Sequence, residues 1–173
     1  GLVNFGLLLW LPAELVARGS SVATASAIIG ASALIAFPTV FVVALGYSRW
    51  STKLSLLAGI AVTALGLVGV LLIDSRVARA IGPVAPIALL VIGSNAVIAL
   101  LLPYTAECYP LRIRGRATGW VAGCSKFGGL IAQLLTIAAL TPGLVAAAGV
   151  SLIPALAAIL LIARYGPETR GRD

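Results

Sequence analysis

Histidine and methionine are absent from this 173-residue chain, cysteine occurs twice, and charged residues make up only 10% of it. Without histidine there is no Ser-His or Cys-His nucleophile pair, no HExxH zinc site and no imidazole proton relay. Cys108 and Cys124 are too few for a disulfide framework or a cysteine-rich metal centre, and they read as free thiols packed among small residues. Twelve Lys and Arg against five Asp and Glu give a net charge of +7, but long apolar runs separate the basic residues. That pattern reads as the loop charge of a membrane protein, and no nucleic-acid partner is expected. With no initiator, and with Gly1 opening directly into the apolar run Leu2–Leu11, the chain reads as beginning inside a hydrophobic segment.

What the chain has in abundance is apolar surface: 61% of residues are hydrophobic and the mean hydropathy is +1.13. Soluble domains average about 45–50% apolar and about 25% charged. Apolar stretches run over residues 1–17, 25–46, 54–73, 85–106, 117–139 and 144–163. Five of these have the length of about 20 residues that a bilayer-spanning helix needs, and the first is shorter. The expectation is an all-α polytopic membrane protein of six transmembrane helices with loop-sized connections. A secretory signal is a poor reading of the first stretch, which lacks a basic start and is followed by five more.

Loop charge sets an expected orientation. Arg18, Arg76 and Arg79 fall on one side, while Arg49, Lys53, Arg112, Arg114, Arg116, Arg164, Arg170 and Arg172 fall on the other. The positive-inside rule places the richer side, and both ends of the chain, in the cytoplasm. Tyr47, Trp50, Tyr104, Tyr109 and Tyr165 lie near the same face, as an interfacial aromatic belt does. Two small-residue patterns suit close helix packing, Gly143-Ala147-Ser151-Ala155 and the GxxxG of Gly119 and Gly123. Pro12, Pro38, Pro86, Pro103 and Pro154 fall within or at the ends of spans, where neighbours must satisfy the freed carbonyls.

The densest polar stretch is Tyr104-Thr-Ala-Glu107-Cys-Tyr-Pro110-Leu-Arg112-Ile-Arg114-Gly-Arg116. It sets a carboxylate at one helix end and three arginines on the connection that follows, with Pro110 forcing a turn between them. Two readings fit: an interfacial ion-pair network that breaks when helices move, or a basic loop that only sets topology. Here the chain resembles the major facilitator superfamily, in particular the C-terminal six-helix half of its sugar-porter and synaptic-vesicle-protein-like metabolite transporters. Glu107, Pro110 and Arg114 match the Glu-x-x-Pro-x-x-x-Arg of the loop after the tenth helix in type and spacing. Pro167-Glu168-Thr169-Arg170-Gly171 is similar to the tail signature after the twelfth helix, and Asn4 to Pro12 resembles a seventh-helix start. The loop between helices eight and nine departs from the family: Ser48 and Ser51 stand where a carboxylate and a glycine are usual, so a charge latch there lacks its acid.

The resemblance implies one half of a secondary transporter, helices seven to twelve, with the other six-helix half as its partner across a central substrate site. It further implies alternating access, a small organic metabolite as cargo, a proton gradient as the coupling ion, no cofactor and no enzymatic activity. The cytoplasmic gate is expected to use Glu107 with Arg112, Arg114 and Arg116, joined by Glu168. Lys126 stands where related transporters carry a basic residue in the eleventh helix. It lies nine residues past Ala117, about 13 Å along a helix. An ammonium there either meets an anionic substrate or carboxylate, or extends its stem to the interface. Asn4, Asn95 and Gln133 are further substrate candidates or interhelical glue, and Glu14, near one end of its span, reads as a solvated carboxylate. Expected is a multi-pass protein of the inner or plasma membrane with a weak preference for carboxylates. Sugar or drug transport and a free-standing homodimeric transporter or channel are the alternatives.

Overall fold

The computed structural model describes residues 1–49, 51–72, 82–138 and 143–169, and the described residues are helical with no strand among them. A π-helical turn, Val3–Leu7, leads into α1 (Leu8–Ala17), followed by α2 (Val22–Ala36) and α3 (Thr39–Arg49). Then come α4 (Thr52–Leu71), α5 (Val84–Cys108), α6 (Leu111–Ile137) and α7 (Leu144–Tyr165). Helices α2 and α3 together form one apolar segment, Val22–Arg49, interrupted at Phe37 and Pro38, where proline removes an amide donor. Including that segment, five helices are long and apolar enough to cross a membrane. The first, Val3–Ala17, is shorter, with a rise of about 22 Å against a hydrocarbon core of about 30 Å. Five spans and one short apolar helix therefore stand where six were read. Trp50, Arg76, Arg79, Arg170, Gly171 and Arg172 lie outside the described residues, as do positions 73 and 139 at the ends of two expected spans.

Local sequence explains the helix ends. Ser21 and Ser51 are N-caps whose hydroxyls accept the amides of Thr24 at 3.1 Å and Leu54 at 2.9 Å. Gly19, with φ of 93°, ends α1: its amide donates to Val16 and that of Ser20 to Leu15, both at 3.0 Å, a Schellman closure that needs a left-handed residue. The α6 helix starts at Leu111, directly after Pro110, and not at Ala117 as expected. Arg112, Arg114 and Arg116 consequently belong to its first two turns and not to a connecting loop.

The centre of the bundle is the α4–α5 pair. A Cβ on Gly93 would lie 2.3 Å from the Thr63 amide nitrogen, and one on Gly66 would lie 2.6 Å from that of Leu90. Gly69 against Pro86 and Gly59 against Ala96 extend the contact, so residue numbers rise along one helix as they fall along the other. The two helices are therefore antiparallel with backbones nearly touching. Where lipid is as apolar as the core, such close approach is what holds helices together. Two apolar clusters flank the pair. Leu7, Leu11, Leu15, Leu67, Val70, Ile87, Leu90, Leu144 and Ala148 fill one end, and Leu56, Ile60, Leu100 and Tyr104 fill the other. From the Gly143 stripe, Ala147 and Ser151 are buried on α7. The GxxxG of Gly119 and Gly123 is different: neither glycine has an atom within 4 Å of a Cβ position.

This contrast is testable. Gly93→Leu is expected to destabilise the bundle by about 1–3 kcal/mol or more through overpacking, while Gly123→Leu stays within about 0.5 kcal/mol. Thermal or SDS unfolding followed by circular dichroism would show it, and equal losses in the two variants would contradict the packing described.

Candidate functional site

Two polar assemblies interrupt the apolar bundle. The first is a clasp where α4 begins and α5 and α7 end. After Gly166 the tail folds back, and the buried Tyr104 hydroxyl donates to the Pro167 carbonyl at 2.7 Å. Glu168 then reaches the start of α4, accepting the Thr52 amide at 3.0 Å, the Thr52 hydroxyl at 2.8 Å and the Ser51 hydroxyl. A carboxylate at a helix N-terminus satisfies orphan amides and faces the positive end of the helix dipole. Thr169 is buried, lies against the Thr52 hydroxyl and donates its own to Glu107. Lys53 completes the clasp by donating to the Ala163 carbonyl at 2.9 Å, near the C-terminus of α7. Two tail residues thus link the start of α4 to the end of α5.

The expected gate set is only partly assembled here. Glu107 and Glu168 do meet, through Thr52 and Thr169. Arg112, Arg114 and Arg116 make no salt bridge to Glu107 among the described residues. Arg114 instead donates to the Tyr109 carbonyl at 3.4 Å. The reason is helical: once α6 starts at Leu111, Arg112 and Arg116 share one face of it and Arg114 lies on another, and Glu107 takes its hydrogen bond from a hydroxyl. Glu168 from the tail sets a carboxylate beside Ser51 and Thr52. Ser51 could have been read from sequence as a cap before an apolar run, but Thr52 and Thr169 carry no such signal.

The second assembly is a seam between the chain's first turns and α6. Gly129 and Ala132 are the buried residues of α6, and they receive Phe5 and Gly6. The π-helical turn alters the carbonyl register, and the Phe5 carbonyl accepts the Gln133 amide at 2.7 Å. The Lys126 ammonium lies 4.7 Å from the centroid of the Phe5 ring. One turn on, the Trp10 indole donates to Thr136 at 2.8 Å. Lys126 and Gln133 thus converge on Phe5. Asn4, in the same turn, is half-buried with no side-chain hydrogen bond among the described residues. Asn95 is exposed on α5 and stands apart from the seam.

Lys126 also belongs to a stripe. Arg112, Arg116, Gly119, Gly123 and Lys126 follow one another at alternating steps of four and three residues, which places them along one face of α6. Lys126 is about 22 Å from the start of this helix, close to its centre, because the helix is longer at its arginine end. Of the five spans, α6 has the lowest mean hydropathy, 1.2. The large apolar side chains Trp120, Phe127 and Ile131 are exposed on the other side of Lys126 from the seam.

Comparison of the chain with known protein families, with curated proteins and with solved structures gives no match.

Removing the tail carboxylate isolates the clasp. Glu168→Ala is expected to cost about 1 kcal/mol, the usual loss for an N-terminal cap. It should also accelerate hydrogen exchange at the Thr52 amide, with Glu168→Gln intermediate. Exchange at Thr52 that is unaffected by either change would show that the carboxylate does not cap α4.

Proposed function

We propose that this chain is a membrane domain of a secondary active transporter. In this reading it is the C-terminal six-helix half of a major facilitator superfamily protein of the sugar-porter or metabolite-transporter branch, located in the inner or plasma membrane. Its cargo is a small organic solute, with carboxylates preferred and proton symport as the driving reaction. The observation that carries the reading is the basic and glycine-lined stripe on α6. A lysine at the centre of a spanning helix costs about 2.5–3.5 kcal/mol to insert. A cation–π contact to one half-exposed phenylalanine returns about 0.5–2 kcal/mol. The balance requires water or an anion at Lys126, and the open glycines beside it leave room for either.

The rest of the arrangement serves that role. The seam holds Lys126 and Gln133 against an irregular turn whose hydrogen bonds are not those of a regular α-helix, and π-turns of this kind recur at functional positions. The clasp ties the ends of α4, α5 and α7 into one unit, which suits a domain that rocks as a body around a site between two halves. Orientation follows from loop charge, which puts the clasp in the cytoplasm.

The test uses the complete transporter in proteoliposomes, with benzoate and succinate as acidic solutes and glucose as the neutral one. Lys126→Ala is expected to lower acidic uptake at least about tenfold, as loss of one member of a desolvated charge pair does, and Lys126→Arg should retain most of it. Acidic uptake unchanged by Lys126→Ala would overturn the assignment of Lys126. Uptake of glucose alone, lost in the same variant, would favour a sugar porter.

A further inference from the structure

We propose that the arginine end of α6 docks an anionic phospholipid, its phosphate held by Arg112 and Arg116 and one acyl chain lying along Trp120, Cys124 and Phe127. The proposal requires that α6 crosses a bilayer and does not depend on what the domain carries. At 27 residues, α6 rises about 40 Å, against a hydrocarbon core of about 30 Å. Part of the helix therefore lies at headgroup depth, and its charges decide which part. Over residues 118–137 Lys126 is the one charged side chain, whereas residues 111–117 hold Arg112, Arg114 and Arg116. The projecting turns are the arginine end, beside the clasp, and they meet the lipid phosphates.

Among the described residues nothing neutralises this end. The first turn of α6 has no acidic residue, and Arg112 and Arg116 are exposed with no ion pair among the described residues. The surface around them is apolar: Leu111 is 80% exposed, Ile113 43% and Trp120 77%. A partner that was only charged would leave these side chains in water, and one that was only apolar would strip the guanidiniums of theirs. An amphipathic anion satisfies both. Helix geometry joins its two parts. Arg112, Arg116 and Trp120 are spaced by four residues, and each such step turns about 40° around the helix. The row thus leads from the edge of the basic stripe onto the apolar face, which the exposed Cys124, Phe127 and Ile131 continue. A phosphate at the two guanidiniums has the Trp120 indole N–H one turn away as a further donor, and its acyl chain falls on a continuous apolar strip. Choline and ethanolamine head groups carry a cation of their own that the arginines repel, so a lipid of net negative charge is selected.

The test places the full chain, with Cys108→Ser and a bimane fluorophore on Cys124, in phosphatidylcholine vesicles containing a minor fraction of lipid with brominated acyl chains, which quench on contact. Brominated phosphatidylglycerol is expected to associate at least about fivefold more strongly than brominated phosphatidylcholine. Replacing both arginines, Arg112→Gln with Arg116→Gln, should bring the two lipids to parity. Arg112→Lys with Arg116→Lys should keep most of the preference, and Arg18→Gln, at the other end of the bundle, should leave it unchanged. Equal quenching by the two lipids in the chain that retains both arginines would overturn the proposal, and that comparison needs no arginine variant to fold. So would a preference that survives the double glutamine variant. A preference abolished by added inorganic phosphate would assign the arginines to a soluble anion and equally overturn the lipid site.

Discussion

The contact between α4 and α5 organises everything around it. A membrane bundle gains little from moving apolar side chains out of lipid, so its helices must win on fit. Gly66 and Gly93 let two backbones meet at a distance that a single methyl group would forbid. Against this rigid pair the two apolar clusters form, one recruiting α1 and α7 and the other reaching the end of α5. The clasp is built on the same pair, since Thr52 begins α4 and Glu107 ends α5. The tail therefore attaches to the least deformable part of the molecule.

Helix α6 stands outside this arrangement. Only Gly129 and Ala132 are buried on it, and beyond its junction with α5 it meets the bundle at the short seam with Phe5, Gly6 and Trp10. Spanning length, low hydropathy and a basic stripe do not suit a helix surrounded by lipid. They suit one that borders water or a further polar surface, which is the physical basis of the transport proposal. A closely packed α4–α5–α7 unit beside an α6 with a polar face suits the solute-binding domain proposed above.

Much of this was legible in the sequence, for identifiable reasons. Runs of about 20 apolar residues have few alternatives, so all-helical character and several helices long enough to cross a membrane followed from the run pattern. Ends were less legible: Pro110 starts α6 at once, and the arginines after it, which read as a loop, are helical. Helix packing was misread at the glycines. Gly119 and Gly123 match a GxxxG pattern yet face open space, while Gly66 and Gly93, each on a different helix, make the close contact. A pattern within one helix says nothing of which partner it meets. The clasp was visible in outline through Glu107 and Glu168, but its hydroxyl links, Thr52 and Thr169, depend on a tail folding back across more than a hundred residues of chain, and no local pattern records that.

The central claim is that the Lys126 face of α6 meets water or a polar partner and not lipid. Spin labels placed singly at Gly119, Gly123 and Lys126, and at Trp120, Phe127 and Ile131, in the complete protein in lipid bilayers would test it most directly. Collision rates with oxygen and with a water-soluble nickel chelate report the two environments. Preferential chelate contact at the first three positions and preferential oxygen contact at the last three is the predicted result. Oxygen-dominated contact at all six would contradict the account.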